Sequence, residues 1–163
     1  MPNAIETRGL SRAFGPRTAV NSLDLTIPAG SVFGFLGPNG AGKTTTVRML
    51  AALIAPTAGA ATVAGHALGT EDHAVRRSVG ILTESPGLYE KLSARQNLVF
   101  FGRLYDLSAR RAEEQAERYL RLLGLWDRRD DAVGGFSKGM RQKLAIARAL
   151  LHEPAVVFLD EPT

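Results

Sequence analysis

The apolar positions of this chain fall into two rhythms. Near the N-terminus, β-type runs occupy residues 4–7, 20–27 and 31–36, with turn-prone Phe14-Gly15-Pro16 and Pro28-Ala29-Gly30 between them. The third run is apolar throughout, the pattern of a strand buried on both faces in a parallel sheet. Beyond Gly42 the period changes. Val47, Leu50, Ala51 and Ile54 fall at i, i+3, i+4 and i+7 and predict a helix that Pro56 closes. Strand, glycine loop and helix in succession predict an α/β core.

Residues 93–125 read as a helical block rich in Arg and Glu. Ser93 and Gln96 have capping-box spacing, in which each side chain satisfies an orphan amide of the first turn. Leu98, Phe101, Leu104 and Tyr105 then share one face. A second helix, opened by Ser108, gathers Ala112, Ala116, Tyr119, Leu120 and Leu123 and stops near Gly124. On its opposite side Glu114 with Arg118 and Glu117 with Arg121 form i, i+4 pairs, so the basic run reads as a solvated face and nucleic acid is not expected as a partner. A third helix starts at Ser137, carries Met140, Leu144, Ala147 and Leu151 on one stripe, and runs to Pro154, after which residues 155–159 read as a strand. An alanine-rich stretch around residues 51–67 leaves its boundaries undefined by pattern.

Composition narrows the chemistry. The 163 residues are 45% hydrophobic, enough for one domain with a sizeable core. Twenty Lys and Arg against sixteen Asp and Glu give a formal charge of +4, and the pI near 9.8 favours anionic partners. With no cysteine there is no disulfide scaffold and no thiolate metal site, which fits a reducing cytoplasm. No apolar stretch approaches the roughly 20 residues of a membrane span, and the N-terminal segment has no apolar signal core.

Residues 37–45, GPNGAGKTT, satisfy G-x-x-x-x-G-K-[ST] through Gly37, Gly42, Lys43 and Thr44. Glycines let the backbone turn successive N–H groups toward phosphate oxygens, and the helix that follows adds its positive end. Lys43 can reach the β and γ phosphates, and the Thr44 hydroxyl can ligate a magnesium ion bridging them. Such a site needs a carboxylate at the end of a neighbouring strand, and Asp160 ends one. Glu161 beside it can orient or deprotonate the water that attacks the γ phosphate.

These residues form a family resemblance. GPNGAGKTT, then FSKGMRQKLAIARALLHEP, then VVFLDEPT, in that order, resemble the ATP-binding subunit of an ABC transporter over essentially the whole chain. The resemblance implies a P-loop NTPase of α/β class: a RecA-like parallel sheet core, an N-terminal antiparallel β region and an inserted α-helical subdomain. It implies one domain over residues 1–163, with the nucleotide-binding core and β region at 1–85, the helical subdomain at 86–136, and the signature helix and Walker B strand at 137–163. It further implies ATP and Mg2+ as ligands, a second ATP-binding subunit paired head to tail, and a membrane-spanning permease holding the chain at the cytoplasmic face of the membrane.

Carried over residue by residue, Gly37, Pro38, Asn39, Gly40, Ala41, Gly42, Lys43, Thr44 and Thr45 hold the phosphates; Ser137 and Gly139 contact the γ phosphate of ATP bound to the other subunit; and Phe14 stacks on adenine. Three positions depart from the common pattern. Lys138 and Met140 replace a glycine and a glutamine of the signature, a spelling similar to that of drug and antibiotic exporters. Glu84 stands where the family places a glutamine that senses the metal and the attacking water, and a carboxylate there can ligate magnesium directly. Leu88, Tyr89, Phe100 and Phe101 are expected at the permease contact, or packed separately inside the domain.

Other readings are weaker. Gly135-Phe136-Ser137-Lys138-Gly139 matches the G-x-S-x-G elbow of hydrolases, but no apolar strand precedes the serine and no triad follows. The N-K-x-D string of GTPases is absent, and His66, His73 and His152 have no metal-ligand spacing. A DNA-repair or translation ATPase of the same superfamily stays open, as does a module that binds ATP without chemistry. Family members continue past LDEPT, so the chain is expected to be cut after Glu161, to bind Mg-ATP with poor turnover, and to leave apolar sheet surface uncovered.

Overall fold

The computed structural model describes residues 2–83 and 87–159, in two compact units, Met1–Val79 and Gly80–Thr163. The first unit is built on a hairpin of two long strands, β1 (Asn3–Phe14) and β2 (Arg17–Pro28), paired antiparallel from Asn3↔Pro28 to Phe14↔Arg17. Gly15 turns the chain at φ +56° and Pro16 holds φ near −65°, the sign pattern of a type II′ turn, whose twist matches the strands it joins. Helix α1 (Lys43–Leu50) follows the glycine loop. Strands β3 (Ala58–Val63) and β4 (His66–Ala67) then complete a sheet of order β2-β1-β3-β4. Leu10, Val63 and Met49 are fully buried in this unit, each worth about 1.5–3 kcal/mol of removed apolar surface. Helix α2 (Asp72–Ser78) ends the unit.

Strand β5 (Val79–Leu82) opens the second unit and pairs with β6 (Val156–Leu159) in a two-stranded parallel sheet. Three helices lie between them in sequence: α3 (Ala94–Leu104), α4 (Ala109–Leu122) and α5 (Lys138–Leu150). Their caps follow the sequence reading. Ser93 and Gln96 form the capping box of α3, Ser108 caps α4 and Ser137 caps α5. Leu98, Leu120, Leu144 and Leu151 meet in one core with Ala116, Val133 and Phe136. Asn97 is buried in that unit, accepting from the Tyr89 N–H at 2.8 Å and donating to the carbonyls of Tyr89, Leu92 and Ser93.

Four expectations need correction. Residues 31–36 form no strand; Val32 and Leu36 are exposed, because an apolar run specifies burial but not the partner whose ladder makes it a strand. Helix α1 stops at Leu50, and Ala52 adopts φ +54°, so Ile54 lies outside it. Leu104 is 62% exposed at the end of α3 rather than buried with Leu98. Glu117 pairs with Arg121 at 2.8 Å as expected, but Arg118 reaches Glu153 at 3.0 Å and Glu114 turns to Arg110. An i, i+4 pair is worth only about 0.3–0.5 kcal/mol and yields to a carboxylate that also engages Arg111.

Candidate nucleotide-binding site

Gly42 is the hinge of the glycine loop. It caps α1 at φ +88°, and a Cβ built there would lie 2.3 Å from the Ala19 carbonyl oxygen and 3.0 Å from Val20, so glycine alone allows the loop to pack on β2. No side chain caps the helix, and the backbone N–H groups of Gly40, Gly42 and Lys43 enter no hydrogen bond among the described residues. Unengaged amides at a helix start attract an anion. The Lys43 ammonium folds back on the loop and donates to the carbonyls of Gly37 at 2.6 Å and Pro38 at 2.9 Å. Ala41 closes the loop through its N–H to the Pro38 carbonyl at 3.2 Å, and Thr46 ties its hydroxyl to the Gly42 carbonyl at 2.9 Å. Asn39 is exposed, while Thr44 and Thr45 lie half-buried in the first turn.

The hairpin end belongs to the same unit. Phe14 is 47% exposed, and the Arg12 guanidinium lies over its ring at 4.5 Å, anchored by a bond to the Ala55 carbonyl at 2.8 Å. Arg17, opposite Phe14 in register, brings its guanidinium to 4.0 Å from a Cβ built on Gly40. Arg12 was not singled out in the sequence, although its i, i+2 spacing to Phe14 puts both on one strand face.

In the second unit, Ser137 accepts from the Met140 N–H at 3.2 Å, leaving its own hydroxyl proton to donate outward. Gly139 is exposed in the first turn of α5, where an added Cβ would meet nothing. Arg141 holds the turn before it by donating to the carbonyls of Gly134 at 2.9 Å and Phe136 at 3.2 Å. Tyr89 contacts Phe100 edge-on at 5.2 Å and stacks on Phe101 at 5.8 Å. Of the two adjacent phenylalanines, Phe101 packs on the core under the Arg148 guanidinium, whereas Phe100 is 40% exposed beside a cleft of about 630 Å³ lined by Arg95, Val99, Glu113 and Asp130. Burial pulls the Arg148 proton affinity below the usual arginine value. Asn97 and Arg141 carry no motif; a polar residue inside the apolar stripe of α3 was the one available signal for Asn97.

Glu84, Asp160 and Glu161 lie outside the described residues. Among the described residues no three carboxylate or imidazole groups gather as for a metal ion, and no helix is long and apolar enough to cross a membrane.

A glycine loop with free amides and a lysine folded across it, placed before a helix, defines a P-loop nucleotide-binding protein. The chain belongs to the ABC transporter family, whose model matches residues 20–163. It is 46% identical over 160 residues to a daunorubicin resistance ATP-binding protein of Streptomyces coeruleorubidus, covering 98% of this chain and 51% of that protein. To the bacitracin transport ATP-binding protein of Bacillus licheniformis it is 40% identical, covering 100% of this chain and 52% of that protein. A solved structure described as the ATP-binding subunit of an ABC transporter superposes with a TM-score of 0.87 at 31% identity, covering 98% of this chain and 66% of that one. The chain thus spans about half the length of the curated relatives it matches.

Proposed function

We propose that this chain binds Mg-ATP at residues 37–45 and that the whole protein hydrolyses it to drive solute export through a membrane permease. The observation that carries the reading is the loop itself: amides at Gly40, Gly42 and Lys43 with no partner among the described residues, and one ammonium held on the same loop by the carbonyls of Gly37 and Pro38. Backbone donors hold the phosphate tail, Lys43 exchanges its carbonyl partners for phosphate oxygens, and Phe14 offers its open face to adenine. Thr44, Asp160 and Glu84 are the proposed residues that would hold magnesium, which would supply charge neutralisation for the phosphates when bound. Glu161 orients the attacking water.

Ser137 and Gly139 are proposed to reach the γ phosphate of ATP on a second subunit placed head to tail. A glycine in a helix costs about 0.5–1 kcal/mol relative to alanine, and no internal contact of Gly139 requires it, so close approach by an outside group is its best reason. Tyr89 and Phe100, both exposed and in edge-on ring contact, form the proposed permease contact, which would hold the chain on the cytoplasmic face of the membrane. Export follows the names of the relatives. The arginines of α4 are largely paired with carboxylates, which weighs against a nucleic-acid role.

Isothermal titration tests the reading. ATP with magnesium should bind the wild-type chain, and Lys43→Ala should abolish the heat. Equal binding by both would end it. In the complete protein, Glu161→Gln should abolish turnover while ATP still binds.

A further inference from the structure

We propose that Arg17 is a nucleotide-binding residue, pairing with the α or β phosphate of the nucleotide held by the glycine loop; this rests on the ATP-binding reading above. The hairpin end cannot drift from the loop, because the Ala19 carbonyl packs where a Gly42 side chain would be. That contact brings the terminal strand pair, Phe14↔Arg17, to the loop. Directly opposed residues of an antiparallel pair project to one face, so the aromatic ring and the guanidinium share it.

Arg17 then reaches Gly40, whereas Lys43 is folded onto the carbonyls of Gly37 and Pro38. The Arg17 side chain is exposed and enters no hydrogen bond or ion pair among the described residues, unlike that of Arg12, which is held by Ala55 and Phe14. Lys43 is the one cation within residues 37–45. A triphosphate carries more negative charge than one ammonium and one divalent ion offset, and a planar guanidinium is suited to the remainder. Between a base at Phe14 and terminal phosphates at Lys43, Arg17 meets the part of the tail that ATP and ADP have in common.

The test is titration of the full chain with ATP and with ADP, for wild type, Arg17→Gln and Arg17→Lys, with melting temperatures alongside. Arg17→Gln should weaken both nucleotides by a similar factor, about tenfold, with Arg17→Lys intermediate and melting unchanged. Wild-type affinity in Arg17→Gln, while Lys43→Ala abolishes binding, would overturn the inference and spare the ATP reading. A loss confined to ATP, or one matched by a fall in melting temperature, would overturn it also. No binding of ATP by wild type would remove the nucleotide reading and this inference together.

Discussion

The guanidinium of Arg141 meets the carboxylate of Glu90 at 3.1 Å while its other nitrogens hold the carbonyls of Gly134 and Phe136. The Gly134 N–H returns to the Glu90 carbonyl at 2.9 Å. One side chain therefore joins the segment after Tyr89 to the turn that presents Ser137. The ion pair is 37% and 66% exposed, so it contributes at most about 1 kcal/mol. Glu90→Ala should cost no more than that in urea unfolding, and Arg141→Ala about 1–2 kcal/mol beyond it, because two carbonyls lose donors. Equal losses would mean that the carbonyl bonds contribute nothing.

Glycines 42 and 139 should respond in opposite directions. Gly42→Ala faces both a positive φ and the Ala19 oxygen, and should destabilise the chain by about 2 kcal/mol or more. Gly139→Ala has open space and should stabilise α5 by about 0.5–1 kcal/mol. ATPase turnover of the complete protein should nevertheless fall with Gly139→Ala. Undiminished turnover would free Gly139 from the phosphate role.

Asn97→Ala should cost about 1–3 kcal/mol, since it strands the Tyr89 N–H, while the carbonyls of Tyr89 and Leu92 keep the N–H groups of Leu92 and Val133. Asn97→Asp should do little better: it keeps an acceptor for the Tyr89 N–H but sets a buried negative charge against the carbonyls of Tyr89, Leu92 and Ser93. Amide exchange at Tyr89 reports the loss directly; protection unchanged in Asn97→Ala would show that the side chain is dispensable.

Glu153 should make stability depend on acid pH. Hydrogen bonding from Gln115 first, then from Arg111, holds its carboxyl below the usual glutamate value. A depressed folded value gives stability that is present above the unfolded value and lost as pH falls through the folded one. Glu153→Gln should therefore be less stable than wild type at neutral pH, with the gap closing below the ordinary glutamate range. A gap constant through that range would refute the linkage.

Helices were the legible part of this molecule. Ser93, Ser108 and Ser137 start helices for a local reason, and Ala116, Tyr119 and Leu120 are spaced so that only burial on one face suits them. Strands depend on partners far along the chain, and there the reading was partial: the runs at residues 4–7, 20–27 and 155–159 overlap β1, β2 and β6, whereas β3, β4 and β5 were not foreseen. Ala58–Val63 is too alanine-rich to alternate visibly, although Ala64 and Gly65, both at positive φ, form the turn that pairs it with β4. The apolar run at residues 31–36 misled in the opposite sense, with side chains suited to a ladder it does not enter. Within the candidate site the phosphate loop was readable from glycine spacing, whereas Arg17 reaches it only through the hairpin pairing, which no motif encodes.

The two-residue tip at Gly15-Pro16 also restricts what evolution can do here. Inserting a single amino acid would reverse the facing of Phe14 or of Arg17, since alternation along a strand has a period of two. Descendants of this gene can exchange side chains at that corner one at a time, but they can lengthen it only by changing which side chains share its face.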